Sequence, residues 1–336
     1  MKQKVRFVQY GCGKMGKMIA RFAVEKGAEL VGALDRNKGH IGKTVDAYFG
    51  IEGNDSHIAD SGNADELLKA VAPDICIIAT RSLMCEVKDI MLLCARNGIN
   101  VITTCEEALY PWNSAPEITL ELDQAAKENN CTITGTGANE SQYGCMFRSF
   151  GGNIQKVKKI TASAQYNIDD YGKALAEGHG AGLTIAEFEK TMGQGDFVPS
   201  YVWNANGWIC DYLGLTVRDQ QQELLPRTAE VKRYSKTLEF LIPAGNAIGM
   251  ESKVTTTTEE GIDIETSCIG IVYDQEEDFN ICKAEGVPDL ELIVKNPDTV
   301  EMTCASVVNR IPDVIDAPPG YICTSRLPVL RYRERI

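Results

Sequence analysis

Histidine and tryptophan are scarce in this chain, three of each in 336 residues. Twelve cysteines are present, but they are scattered, and no two stand as C-x-x-C. With so few histidines beside them, that spacing offers no zinc site, and no metal is expected. Cys76 and Cys94 fall inside apolar strand and helix patterns, where a free thiol behaves as a small hydrophobe. A reducing compartment, the cytoplasm, is therefore expected. Positive charge is also short: 34 Lys and Arg stand against 47 Asp and Glu, for a formal net charge of -13. That balance argues against nucleic acid or anionic membrane as partners. Apolar runs such as Ile75 to Ala79 are strand-sized, far below the roughly 20 residues of a membrane span. Lys2 and Lys4 lead straight into a structural strand, so no secretory leader is expected. Internal repeats and low-complexity linkers are absent as well.

What is present is an ordinary globular mixture, 44% apolar and 24% charged, long enough for two domains. The sharpest signal lies in the first 35 residues. An apolar strand, Val5 to Tyr10, runs into Gly11-Cys12-Gly13-Lys14-Met15-Gly16; a helix follows, and a second strand ends in Leu34-Asp35. In such a G-x-G-x-x-G turn, Gly11 permits the tight strand-to-helix bend and Gly13 lets the backbone approach a pyrophosphate. Gly16 lets helix and strand pack closely. The pyrophosphate would sit on the N–H groups that open the helix, at Lys14 and Met15. Gly27 stands where that helix should stop. Asp35 is placed to bind an adenosine ribose, which favours NAD, while Arg36 and Lys38 are near enough to pair with a 2′-phosphate. The expected cofactor is NAD, or NAD and NADP alike.

The first 135 or so residues alternate strand and helix, which predicts a doubly wound parallel sheet of Rossmann type, covered on both faces. Asn63 and Glu66 read as a capping pair opening one helix. Strands are expected at 75–79, 100–103 and 131–134, and helices at about 86–97 and 116–129. After Gly137 the pattern changes. Long period-two stretches at 157–168 and 261–274 predict a second α+β domain on a largely antiparallel sheet, interrupted by helices near 184–192 and 204–213. A last helix is expected at 297–310, followed by the rigid turn Asp316-Ala317-Pro318-Pro319-Gly320. The expected division is a dinucleotide domain at 1–137, a substrate and oligomerisation domain at 138–297, and a segment of about 298–336 packing back on the first.

Ligands of such a sheet bind beyond the carboxyl ends of its strands. Ala79, Thr80 and Arg81 follow the 75–79 strand and are expected beside the nicotinamide. Glu106 and Glu107 follow the next strand, and Asn139 and Glu140 follow the last. These carboxylates are candidates for holding a substrate ammonium or acting as base. Cys105, beside them, reads as packing, because no histidine lies near it in sequence. In the second domain, Glu177-Gly178-His179-Gly180-Ala181-Gly182-Leu183-Thr184 precedes a helix opened by a Thr184/Glu187 capping box. Gly180, Ala181, Gly182 and Leu183 are expected to cradle a substrate carboxylate with their N–H groups. His179 is the leading acid–base candidate, since His40 and His57 fall in expected surface loops.

Together these residues resemble the dihydrodipicolinate reductase-like group of dehydrogenases, and within it the 2,4-diaminopentanoate dehydrogenase family. The resemblance rests on 11–16, on the loop after Ala79, on 177–184, and on Asn309-Arg310-Ile311-Pro312 and Ala317-Pro318-Pro319-Gly320-Tyr321. It implies NAD(P)-dependent oxidative deamination of a diamino acid, 2,4-diaminopentanoate, to 2-amino-4-oxopentanoate and ammonia in ornithine fermentation. It also implies a homodimer. In that reading His179 or Glu140 is the base, and Glu106 or Glu107 neutralises the substrate's other ammonium. The paired histidines and lysine of the related ring reductases are missing around His179, and Asn139-Glu140-Ser141 stands where many relatives have Asn-Pro-Gly. Two other readings fit the same residues. One is a related reductase or semialdehyde dehydrogenase; the other is a dinucleotide sensor without catalysis.

Overall fold

The computed structural model describes residues 4–192 and 199–336; Lys2 lies outside them. Contacts divide the chain into two compact units, Met1–Ser141 with Asp298–Ile336, and Gln142–Pro297.

The first unit opens β1 (Arg6–Tyr10), α1 (Lys14–Glu25), β2 (Glu29–Asp35), β3 (Ala59–Asp60), α2 (Ala64–Val71), β4 (Ile75–Ile78), α3 (Met84–Arg96), β5 (Asn100–Thr103), α4 (Pro116–Glu128) and β6 (Thr132–Gly135). The unbroken apolar run of β4 is explained by burial on both faces. Ile75 and Ile77 enter one core cluster with Ile19, Ala20 and Ala23 of α1. Cys76 and Ile78 enter another with Leu68, Met91, Leu122 and Ala126 from α2, α3 and α4. Each fully buried Ile, Leu or Met side chain among them contributes about 1.5–3 kcal/mol. The cap expected of Asn63 is instead made upstream. Asp60 accepts from Gly62 N at 2.8 Å and starts a single 3-10 turn that runs into α2, and the Asn63 side chain makes no capping bond.

The second unit contains α5 (Cys145–Phe150), β7 (Lys156–Asn167), α6 (Lys173–Gly178), α7 (Ile185–Met192), α8 (Tyr201–Leu213), β8 (Val217–Thr228), β9 (Arg233–Ser235), β10 (Phe240–Ile242), β11 (Ala247–Thr258), β12 (Asp263–Ile271), β13 (Phe279–Val287) and β14 (Leu290–Lys295). Six of its strands form one mixed sheet, β14-β13-β7-β12-β11-β8. Only β7 and β12 run parallel; the other neighbours are antiparallel. β9 and β10 form a separate antiparallel pair. Alternate residues of the long strands are buried, Ile160, Ala162 and Ala164 on β7 among them, as period-two patterning demands. Helix α8 buries Ala205, Trp208 and Ile209, and its Asn206 amide is bonded to Thr256 and Thr266. The Thr184/Glu187 capping box forms: Glu187 Oε2 accepts from Thr184 N at 2.8 Å and Glu187 N donates to Thr184 Oγ1 at 3.3 Å.

The chain then completes the first unit with α9 (Thr299–Ile315) and β15 (Gly320–Tyr321). Asp298 caps α9 by accepting from Glu301 N at 2.8 Å. The helix runs past the expected end at 310 and through Pro312, although proline removes an interior hydrogen bond. Burial of Ile311 and Val314 beside α1 offsets that loss. β15 pairs with β6 and closes a seven-stranded parallel sheet of order β15-β6-β5-β4-β1-β2-β3. Among the described residues no helix is long and apolar enough to cross a membrane.

Candidate functional site

In the first unit the candidate residues collect at the carboxyl ends of β1, β2, β4, β5 and β6. Gly11 has φ +89°, and a Cβ there would lie 2.4 Å from Ala79 O and 2.6 Å from Thr80 Cγ2. A side chain at 11 is thus excluded both by the backbone and by the end of β4. A Cβ on Gly16 would lie 1.9 Å from Gly11 O, so α1 sits directly on the turn. Buried Gln9 ties the same turn to β4, its Nε2 donating to Gly11 O at 3.1 Å and Ile77 O at 3.3 Å. Gly13 is different: a Cβ there would meet nothing within 4 Å, at the exposed N-terminus of α1. The first N–H groups of that helix have no carbonyl of their own. An anion approaching along Gly13 would meet them, so these residues fit a pyrophosphate. Lys14 is exposed there, whereas Met15 is half-buried, its sulfur 3.8 Å from Cys304 Sγ.

Asp35 is only 8% exposed. Its Oδ2 accepts from Cys12 N at 2.8 Å and from His40 Nδ1 at 2.9 Å, and its Oδ1 accepts from Asn37 N at 2.8 Å. Burial raises its pKa, but the bonds from His40, Asn37 and Cys12 outweigh it and hold the carboxyl below its usual range. His40, expected in a surface loop, is therefore half-buried against Asp35; a partner five residues on leaves no pattern in the sequence. Arg36 is exposed on the same loop.

The strand-end carboxylates have three different fates. Glu106 is reached by solvent, yet the protein around it strips enough hydration to raise its carboxyl pKa, with a bond from the Ser82 side chain opposing the shift. It stands beyond β5, and Ser82 follows Ala79, Thr80 and Arg81 beyond β4. Arg81 itself pairs with exposed Glu86 at 3.6 Å. Glu107, expected to bind substrate, is engaged structurally: its Oε2 accepts from Met84 N at 2.6 Å and so caps α3. Glu140, expected as a base, is fully buried with Arg310, which is also 0% exposed. It accepts from the guanidinium and from Thr136 Oγ1 at 2.6 Å. Both of its oxygens are thus engaged by protein donors. Neighbouring Asn139 is 9% exposed. Cys105 is buried, and burial pushes its thiol pKa up to about 12, as a packing cysteine requires.

In the second unit His179 ends α6 and is 9% exposed. Its Nδ1 lies 2.8 Å from Leu175 O, which can only accept, so Nδ1 carries the proton. Nε2 of the neutral ring then accepts from the Tyr166 hydroxyl at 2.6 Å. Burial lowers the His179 pKa, with the Leu175 carbonyl opposing, and favours that neutral form. Strand β12 holds the ring from the side, since a Cβ on Gly270 would lie 2.5 Å from His179 Cδ2. Tyr166, on β7, is a residue that sequence reasoning missed because a tyrosine in a long strand reads as packing.

The expected N–H cradle does not form. Gly180 N donates to Glu177 O at 2.9 Å, Ala181 N to Ala176 O at 3.2 Å, Gly182 N to Ala247 O at 2.8 Å and Leu183 N to Gly180 O at 3.2 Å. The glycines serve to fold this loop back onto the start of β11, so a substrate carboxylate would need other donors. Among the described residues no group of three His, Cys, Asp or Glu is placed to hold a metal.

Comparison with known proteins adds the following. Residues 145–333 match the 2,4-diaminopentanoate dehydrogenase C-terminal domain. Residues 5–136 match the oxidoreductase family with an NAD-binding Rossmann fold. A 2,4-diaminopentanoate dehydrogenase from Acetoanaerobium sticklandii is 27% identical over 343 residues, 98% of this chain and 95% of that protein. The structure of an amine dehydrogenase from Mycobacterium smegmatis is similar with a TM-score of 0.86 and 33% identity, covering 100% of this chain and 99% of the other. A myo-inositol 2-dehydrogenase from Lactobacillus plantarum shares the fold at 14% identity and a TM-score of 0.59, over 94% and 89% of the two chains.

Proposed function

This chain belongs to the 2,4-diaminopentanoate dehydrogenase family, and on that premise we propose that it oxidatively deaminates 2,4-diaminopentanoate at C4. It is an NAD(P)-dependent dehydrogenase acting on amino acids or amines. The proposed products are 2-amino-4-oxopentanoate and ammonia, in ornithine degradation. The proposal gives cofactor binding to the first unit and substrate recognition to the second, in a cytoplasmic homodimer whose mass light scattering would test.

The C4 ammonium must lose a proton before its carbon can give up hydride, and a later water must be deprotonated as it adds to the resulting imine. Both steps call for one base with a pKa moved toward neutrality. The observation that carries the proposal is Glu106, a solvent-reachable carboxyl beyond β5 whose pKa is raised. Glu107 and Glu140 are held by Met84 N and Arg310, which leaves Glu106 as the base of the three. Bound NAD(P) would supply the hydride acceptor. Glu106 takes the proton from the ammonium and releases it to solvent. It then deprotonates the water that adds to the imine carbon and returns that proton to the nitrogen, so that the carbinolamine collapses to the ketone and ammonia. Within the second unit, His179 Nε2 fixes the Tyr166 hydroxyl by accepting from it at 2.6 Å.

The test mixes the protein with 2,4-diaminopentanoate and either cofactor, following reduced-nicotinamide absorbance and ammonia together. Equal yields of the two are expected. Glu106→Gln should lower kcat by roughly 10²–10⁴-fold with cofactor affinity unchanged. Cofactor reduction without ammonia would remove the deamination reading, and full turnover by Glu106→Gln would remove the base.

A further inference from the structure

Asp35 stands where an adenosine ribose would be read, and its lone pairs can be counted. A carboxylate oxygen has two. On Oδ2 both are engaged, by Cys12 N and by His40 Nδ1; on Oδ1 one is engaged, by Asn37 N. A free ribose diol that donates twice needs two open acceptor positions, and here one remains. A 2′-phosphate has the opposite need: it requires donors and positive charge in place of open acceptors.

The imidazole is held in this position from several sides. Asn37 Oδ1 accepts from Gly39 N at 2.9 Å, which turns the Asn37 amide so that Nδ2 faces His40 Nε2 at 3.4 Å. The His40 ring packs on Tyr48 with centroids 5.0 Å apart, and the Tyr48 hydroxyl donates to Cys12 O at 2.8 Å. Lys17 and Lys43 stand 5.1 and 5.2 Å from the centre of that tyrosine ring. Arg36 and Lys38 are exposed on the loop itself.

We propose that His40 is a cofactor-specificity residue: by occupying Asp35 Oδ2 it weakens the preference for an unmodified ribose and admits a dinucleotide carrying a 2′-phosphate. His40 acts through Asp35. The inference rests on dinucleotide binding by the first unit and is independent of the substrate proposed above.

The test is calorimetric titration of wild type, His40→Ala and His40→Asn with ADP-ribose and with its 2′-phosphate, without substrate. In His40→Ala the ratio of the two dissociation constants should move toward ADP-ribose by at least about tenfold, the scale of one hydrogen bond to a charged group. The asparagine amide nitrogen stands as far from Cβ as Nδ1 does and can donate to the same oxygen, so His40→Asn should return the ratio to within about twofold of wild type. A smaller shift in His40→Ala, an opposite one, or an equal loss of both ligands overturns the proposal. So does a His40→Asn protein that behaves like His40→Ala.

Discussion

Replacing Arg310 by methionine tests what the buried ion pair of the first unit does. Arg310 on α9 and Glu140 beyond β6 are both 0% exposed. The guanidinium donates to both Glu140 oxygens, to Asp313 Oδ2 at 3.2 Å and to Pro328 O. Arg310→Met leaves the Glu140 carboxylate without that cation, and removing one partner of a buried pair costs about 3–5 kcal/mol. Glu140→Gln keeps Arg310 beside Asp313 and retains an acceptor, so it should cost less, about 1–3 kcal/mol. Replacing both, as in Arg310→Met with Glu140→Leu, removes both buried charges and should recover much of the single-mutant loss. Urea unfolding followed by fluorescence and by circular dichroism gives the three midpoints. A double variant no more stable than Arg310→Met, or an Arg310→Met loss below about 1 kcal/mol, would refute this reasoning.

Gly11→Ala should lower stability by more than the roughly 1–2 kcal/mol of a left-handed non-glycine residue, because its Cβ also meets Ala79 O, and should abolish cofactor binding; a variant that binds NAD normally would contradict the close packing of that turn. The raised Glu106 pKa means the carboxylate form is gained later on the pH scale than for an ordinary glutamate. The acidic limb of kcat against pH should therefore rise above the usual carboxylate range of about 4.3 and disappear in Glu106→Gln, and a limb at the ordinary value would remove the base assignment. Tyr166→Phe takes the donor from His179 Nε2, at a cost of about 1–3 kcal/mol in a thermal melt, and an unchanged midpoint would argue against the bond.

The sequence made the parallel sheet legible because each element of the first unit carries its own local evidence. The glycines at 11, 13 and 16, the apolar β4 and the acid at 35 are each readable within a few residues. The long alternating strands of the second unit were legible for the same reason. What escaped notice depends on distant partners. Glu106, Glu107 and Glu140 look alike as glutamates after strands, yet Met84 and Arg310, far away in the chain, decide the fates of two of them. The loop around Gly180 looked like an anion cradle until Ala247 supplied a carbonyl for Gly182 N. His40 and Tyr166 were missed because neither stands in a motif.

The first unit is assembled from two stretches of chain with the whole second unit between them. During synthesis, the ribosome must release 142–297 before α9 can cover α1 or β15 can pair with β6. Until then the nascent sheet has an unpaired edge at β6, one apolar face without α9, and Glu140 without Arg310. The last residues lock the arrangement: Arg333 pairs with Asp313, and Ile336 N donates to Lys26 O at 3.1 Å. A chain released just before residue 298 would thus carry every residue of the second unit but a nucleotide-binding unit still lacking its final helix and strand.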